Sequence, residues 1–208
     1  MNSLRIHAAS VLALLLVSVT TPAAAQDDLD RQLQIVYDRL SGKSPTADWD
    51  AGDIEEAQLI AFRSLLPALS SEVAEERERS RQQFEAISLH AARPDAEAER
   101  VHWCQMMLGA QNAVIPKAAR VWMLRNLAEV GGNESIERLE QLLNDRDGDV
   151  RELARLALVR IPSEGAVAVL ERALGRSIEN NDPEWTAAII AGLGHRRALT
   201  SPDRLGEL

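Results

Sequence analysis

The chain has 208 residues, 46% of them hydrophobic, and its 32 acidic against 23 basic side chains give a formal net charge of −9. Such a charge repels phosphate backbones and anionic lipid, which argues against nucleic acid or membrane surfaces as the main partner and leaves a basic protein target open. With one cysteine, Cys104, the chain can form neither an internal disulfide nor a c-type haem attachment, so its stability has to come from packing.

At the N-terminus, Arg5 precedes an apolar run from Ala8 to Val19, and "TTPAAAQ" then supplies Ala23-Ala24-Ala25 as an A-x-A site. That order predicts a secretory signal peptide over residues 1–25, because the run is shorter than the roughly 17 to 25 residues that span a bilayer. Cleavage after Ala25 removes 25 residues and one basic group, Arg5, leaving 183 residues with 22 basic and 32 acidic side chains, a charge of −10. The expected location is periplasmic or secreted. No later segment is apolar enough to insert into a membrane, and Cys104 lies too far from the cleavage site to carry a lipid anchor.

Helix formers dominate the remainder, and no stretch shows the sustained apolar-polar alternation of a strand, so the mature chain reads as all-α. Residues 26–52 form an N-terminal helix and a linker: Leu29, Leu33, Val36 and Leu40 share one face, Gly42 stops the helix, and Pro45, Asp48, Asp50 and Gly52 mark turns. The next helix opens with Asp53 as N-cap and Glu56 three residues on, and Pro67 kinks or ends it. A long charged helix follows, with Glu75 and Arg79 able to pair and Phe84, Ile87 and Ala91 facing inward. Pro94 ends that helix, and another runs from about Asp95 to Gln111. On it Cys104 reads as a buried, inert thiol.

From Pro116 the sequence repeats. "RVWMLRNLAEVGGNESIERLEQLL" and "RELARLALVRIPSEGAVAVLERAL" superpose without a gap at an offset of 31, placing Arg120 on Arg151, Met123 on Ala154, Leu127 on Leu158, Val130 on Ile161, Ser135 on Ala166 and Leu139 on Leu170. A third copy at an offset of 35 moves Leu158 to Leu193 and Leu170 to Leu205, with four extra residues assigned to "RSIENNDPEW". Periods of this length mark helical hairpins that cover one another's apolar faces. The stretch "DRDGDVRELARLALVRIPSEGAVAVLERAL", Asp145 to Leu174, resembles the HEAT-repeat family, especially its short bacterial variety. The resemblance implies an α-solenoid of stacked antiparallel helical hairpins, with residues 53–112 as its N-terminal part and 113–208 as HEAT-like repeats, the last one incomplete. It also implies that Asp145 pairs with Arg151 at the start of the next helix.

"NDRDGD" has the acidity of a calcium loop, but an EF-hand starting at Asp145 needs glycine at Val150 and glutamate at Leu156. The reading preferred here is structural: Asp149 as N-cap with Glu152 in a capping box, supported by Asp145 and Arg151. "NES" at Asn133 fits a glycosylation sequon and reads as an N-cap. No phosphate-binding loop, G-x-S-x-G or H-E-x-x-H occurs, and His90, His102 and His195 lie in different elements. His102 and Cys104, two apart on a helix, diverge too far for a zinc pair. No catalytic, cofactor-binding or metal-binding residue is assigned.

Candidate partner-binding residues are Trp185, beside the "NNDPE" loop, and the basic cluster His195, Arg196 and Arg197; Trp103, Trp122 and Trp185 fit either interface anchors or burial between repeats, and of these Trp122 is expected in the core. The expected function is an exported scaffold that binds another protein and catalyses nothing itself. The alternative is an accessory or lyase-like HEAT domain associated with an exported enzyme.

Overall fold

The structure is a computed structural model that describes residues 23–46, 48–111 and 115–200, with side chains described between Asp30 and Arg196. The signal-peptide assignment for residues 1–22, Leu205 of the third repeat, and the side chain of Arg197 lie outside the described residues. Among them are nine α-helices, one 3-10 turn and no strand. In chain order the helices are α1 (Ala23–Leu40), α2 (Ala51–Ala68), α3 (Ala74–Ala91), α4 (Glu97–Ala110), α5 (Lys117–Val130), α6 (Ile136–Leu142), α7 (Gly148–Arg160), α8 (Glu164–Glu179) and α9 (Pro183–Thr200). Contacts divide the chain into two units, the first ending at Met106 and the second starting at Met107.

In the first unit α1, α2 and α3 pack pairwise on one another. Helix α1 stops as its sequence predicts. Gly42 adopts a φ of +74°, and the amides of Gly42 and Lys43 turn back onto the carbonyls of Arg39 and Asp38 at 3.1 and 2.8 Å, which satisfies carbonyls the helix leaves open. Helix α2 starts three residues earlier than expected. Asp50, not Asp53, is its N-cap, and Asp53 answers as the third-position partner: each side chain accepts the other's backbone N–H, at 2.9 and 3.1 Å. Pro67 is tolerated in the last turn of α2.

Phe62, Phe84 and Trp103 form the centre of this unit, with ring centroids 4.8 to 5.8 Å apart. The buried indole N–H of Trp103 donates to Ser88 Oγ at 2.8 Å, and Cys104 is buried beside it in sequence. Gln58, only 1% exposed, donates to the Glu99 carbonyl and contacts His102 Nδ1 at 2.8 Å. His102 is thus part of a polar link between α2 and α4. The Glu75–Arg79 pair forms at 3.1 Å on an exposed face, while Phe84, Ile87 and Ala91 are buried.

In the second unit the repeat register becomes helix geometry. The first helices start at Lys117, Gly148 and Pro183, spaced by 31 and then 35 residues, and Asn133 of the 3-10 turn and Glu164 of α8 are again 31 apart. Helix α5 packs on α7, α7 on α9, and α6 on both α7 and α8. The superposed apolar positions are buried: Met123 and Ala154, Leu127 and Leu158, Val130 and Ile161, Leu139 and Leu170. The four extra residues of the third copy do not all enter the loop. Helix α8 continues to Glu179, whereas 31 residues beyond the end of α6 would be Ala173. Helix α8 is six residues longer than its counterpart, the 3-10 turn and α6 together, while the loop after it, 180–182, is two residues shorter than 143–147, which together account for the four added residues.

Two local expectations change. Asn133 does not cap its helix: it opens the 3-10 turn, whose N-cap Gly132 donates its N–H to the Glu134 carboxylate at 2.9 Å, and Ser135 is the N-cap of α6. Trp122 is half-buried rather than in the core. A Cβ on Gly192 of α9 would lie 2.6 Å from Arg155 Nη1 and 2.8 Å from Val159 Cγ2, so this glycine sets how closely α9 approaches α7.

Two changes test this packing. Leu127→Ala and Leu158→Ala each remove a fully buried side chain and should cost about 2–5 kcal/mol in denaturant unfolding, a large part of the ~5–15 kcal/mol that holds a typical domain. Gly42→Ala forces an L side chain to a left-handed φ and puts its Cβ 2.5 Å from His90 Nδ1, and should lower stability by about 1–3 kcal/mol. A melting temperature unchanged by any of the three contradicts the corresponding packing.

Candidate functional site

The acidic stretch before α7 is a staple between repeats. Asp147, not Asp149, is the N-cap of α7, because its carboxylate accepts the Asp149 N–H at 3.0 Å. Asp149 lies inside the first turn, where it shares the Lys117 ammonium with Asp147, at 2.7 and 2.9 Å. Glu152 does not reach back to close a capping box; it is paired with Arg155 one turn on, at 2.5 Å. Asp145 accepts the Asp147 N–H at 2.9 Å and binds Arg120 at 2.8 Å. Arg151, the partner expected for that carboxylate, instead donates to the Asp145 backbone carbonyl at 3.1 Å. The reason is geometric: Lys117 and Arg120 sit at the start of α5, the helix on which α7 packs, so they reach the loop from the preceding repeat.

Two further pairs run from repeat to repeat. Glu129 pairs with Arg160, 31 residues on, and Glu140 holds Arg172, 32 residues on, through both carboxylate oxygens. The Arg172 guanidinium keeps the Glu140 carboxyl below its ordinary range.

Beside the staple, a hollow of about 250 Å³ opens between the end of the Asp145 loop, α8 and the start of α9. Its lining includes Asp145, Arg151, Arg176, Asn180, Asp182 and Trp185. Trp185 is half-buried, and the Arg151 guanidinium lies 5.9 Å from its ring centroid. Arg176 is 3.9 Å from a Glu140 oxygen already taken by Arg172, and its Nη2 is buried with no hydrogen-bond partner. Asp182 accepts the Trp185 N–H at 3.1 Å at the start of α9. On the wall behind, Ser177 Oγ and Thr186 Oγ1 are 2.8 Å apart.

The family model for HEAT repeats matches residues 116–194. Over this stretch the chain is similar to HEAT repeats. The matched stretch contains the staple, the paired charges and the hollow. No curated protein matches the chain.

The expected partner-binding residues separate. Trp185 lies at the hollow, and His195 is exposed on α9. Arg196 is not a surface residue: it is 7% exposed and donates to the carbonyls of Leu158 and Ser163 at 3.1 and 2.6 Å. Those carbonyls lie near the end of α7 and at the corner into α8, where a helix end leaves acceptors open, so Arg196 ties α9 to the previous repeat. The third repeat places Arg196 on Ile161, an apolar position, and that mismatch is the signal by which sequence reasoning could have moved it inward. Arg176 drew no attention in the sequence because nothing in an i,i+4 pattern shows that its partner is already engaged.

Burial raises the Asp145 pKa, but the Asp147 N–H and the Arg120 guanidinium outweigh it and the net shift is downward; Asp147 is lowered mainly by Lys117. A carboxylate with a depressed folded pKa stabilises fully above its unfolded pKa, and that contribution is lost as pH falls through the folded one. Melts between about pH 6 and about pH 2 should therefore show a steeper acid loss for the native chain than for Asp145→Asn. Equal slopes would remove Asp145 from the staple. Because Lys117 and Arg120 already pair with all three aspartates, calcium in place of chelator should leave the melting temperature unchanged; a calcium-dependent rise would make the loop a metal site.

Proposed function

We propose that this protein is an exported α-solenoid scaffold that binds another protein through the surface of its stacked HEAT hairpins and has no catalytic step of its own. The observation that supports the reading best is the repeat-to-repeat use of its charges. Lys117, Arg120, Glu129 and Glu140 are each paired with a residue of the next repeat, so the polar groups of this unit fix helix against helix. Stacked repeats of this kind offer extended surfaces suited to docking. The charge of −10 expected after cleavage favours a partner with a basic overall surface, and the signal-peptide pattern of residues 1–25 supports a periplasmic or secreted site of action. No described helix is long and apolar enough to cross a membrane.

An affinity pulldown with mature chain 26–208 from an envelope fraction should recover one protein repeatedly, with recovery falling as ionic strength rises. Turnover of a small molecule by the purified protein alone would overturn the scaffold reading, and full-length protein recovered uncleaved from the cytoplasm would overturn export.

A further inference from the structure

The HEAT repeats define where an acidic side chain belongs, and the last interval of this chain omits it. In the first interval Arg120 of α5 meets the carboxylate of Asp145, 25 residues on, at 2.8 Å. One repeat later the arginine is kept as Arg151, but the position corresponding to Asp145, at the offset of 35, is Asn180. An amide cannot neutralise a guanidinium. Among the described residues no carboxylate forms an ion pair with Arg151, which instead meets the Asp145 carbonyl and the face of Trp185. At this place the chain has the 250 Å³ hollow, with Arg176 Nη2 buried and unpartnered on the same lining.

The local balance also points to an anion. Of the two acidic groups on the lining, Asp145 is held by Arg120, and Asp182 accepts the N–H of Trp185 at the start of α9. Arg151 uses one of its five N–H donors on a carbonyl, and the planar fork that remains matches a carboxylate. The volume is below the range of roughly 300–1,000 Å³ typical of metabolite sites, so a single side chain suits it better than a whole small molecule.

We infer that the hollow formed by Arg151, Arg176, Asn180 and Trp185 receives an aspartate or glutamate side chain of a partner peptide, which completes the Arg–carboxylate pairing that Asp145 provides one repeat earlier. Trp185 supplies apolar cover for the methylene groups beside that carboxylate. This inference rests on the scaffold reading and names the chemistry of one contact within it. A partner with a basic overall surface would engage here through a local acidic side chain, since the contact is set by the two arginines and not by net charge.

The test uses the mature chain and two variants. Asn180→Asp restores the missing carboxylate in the chain itself; it should raise the melting temperature, and the rise should vanish when combined with Arg151→Gln. The probe is an N-acetylated, C-amidated hexapeptide with one central glutamate, followed by the shifts of the Trp185 indole N–H and the Arg151 side-chain N–H in NMR titration. Saturable shifts are expected, weakened about tenfold or more by either Arg151→Gln or Asn180→Asp, and absent with the glutamine version of the peptide. Three results overturn the inference: no saturation at millimolar peptide, the same response to acetate at equal concentration, or peptide binding that survives Asn180→Asp. If the titration fails while the pulldown still recovers one protein, the scaffold reading stands and this contact does not; if the pulldown also recovers nothing, both fall.

Discussion

A single pair of short antiparallel helices has more apolar surface than it can cover by itself, and that shortage governs the second half of this protein. Leu127 and Leu158 occupy the same position in successive copies and are both fully buried, because each first helix lies against the next one. The helix starts at Lys117, Gly148 and Pro183 keep that register. Even the irregular third interval keeps α9 packed on α7, because the added residues lengthen α8 rather than the loop after it.

Once the helices are stacked, their ends come close together, and the charged residues take their partners there. Lys117 and Arg120 project from the start of α5 onto the loop before α7, where three aspartates in five residues would otherwise repel one another. The loop's own backbone N–H groups complete the arrangement through Asp145 and Asp147. An acidic cluster that resembles a cation site in one dimension is therefore a joint between helices in three, each carboxylate already paired with a cation of the preceding repeat. The same joint explains why Arg151 is left to the hollow: the carboxylate that lies near it in sequence has been taken by the arginine one repeat earlier.

Arg196 illustrates the cost of reading charge from composition alone. Its guanidinium is desolvated, which lowers its pKa, and two carbonyls at the end of one hairpin hold it in place. In the first unit Gln58 plays a comparable part, buried between α2 and α4 with its amide engaged by Glu99 and His102. Both are polar residues whose role is set by helices distant in sequence, and neither sits in a local pattern that distinguishes it from a surface group.

The sequence by itself determined the all-helical class, the breaks at Gly42 and at the Gly131 and Pro162 corners, the inward face of α3, and the two-copy register that buries Met123, Leu127, Leu139 and their counterparts. Those features follow from periodicity and from residues whose backbone preferences act within a few positions. The tertiary structure alone decided which aspartate caps α7, which arginine meets Asp145, that Arg196 turns inward, and that Arg151, Arg176 and Trp185 line one hollow. The Arg120–Asp145 pair joins residues 25 apart and Arg196 reaches a carbonyl 38 residues back, and the strength of a hydrogen bond or ion pair falls off over a few ångströms, a distance that spacing along the chain does not encode.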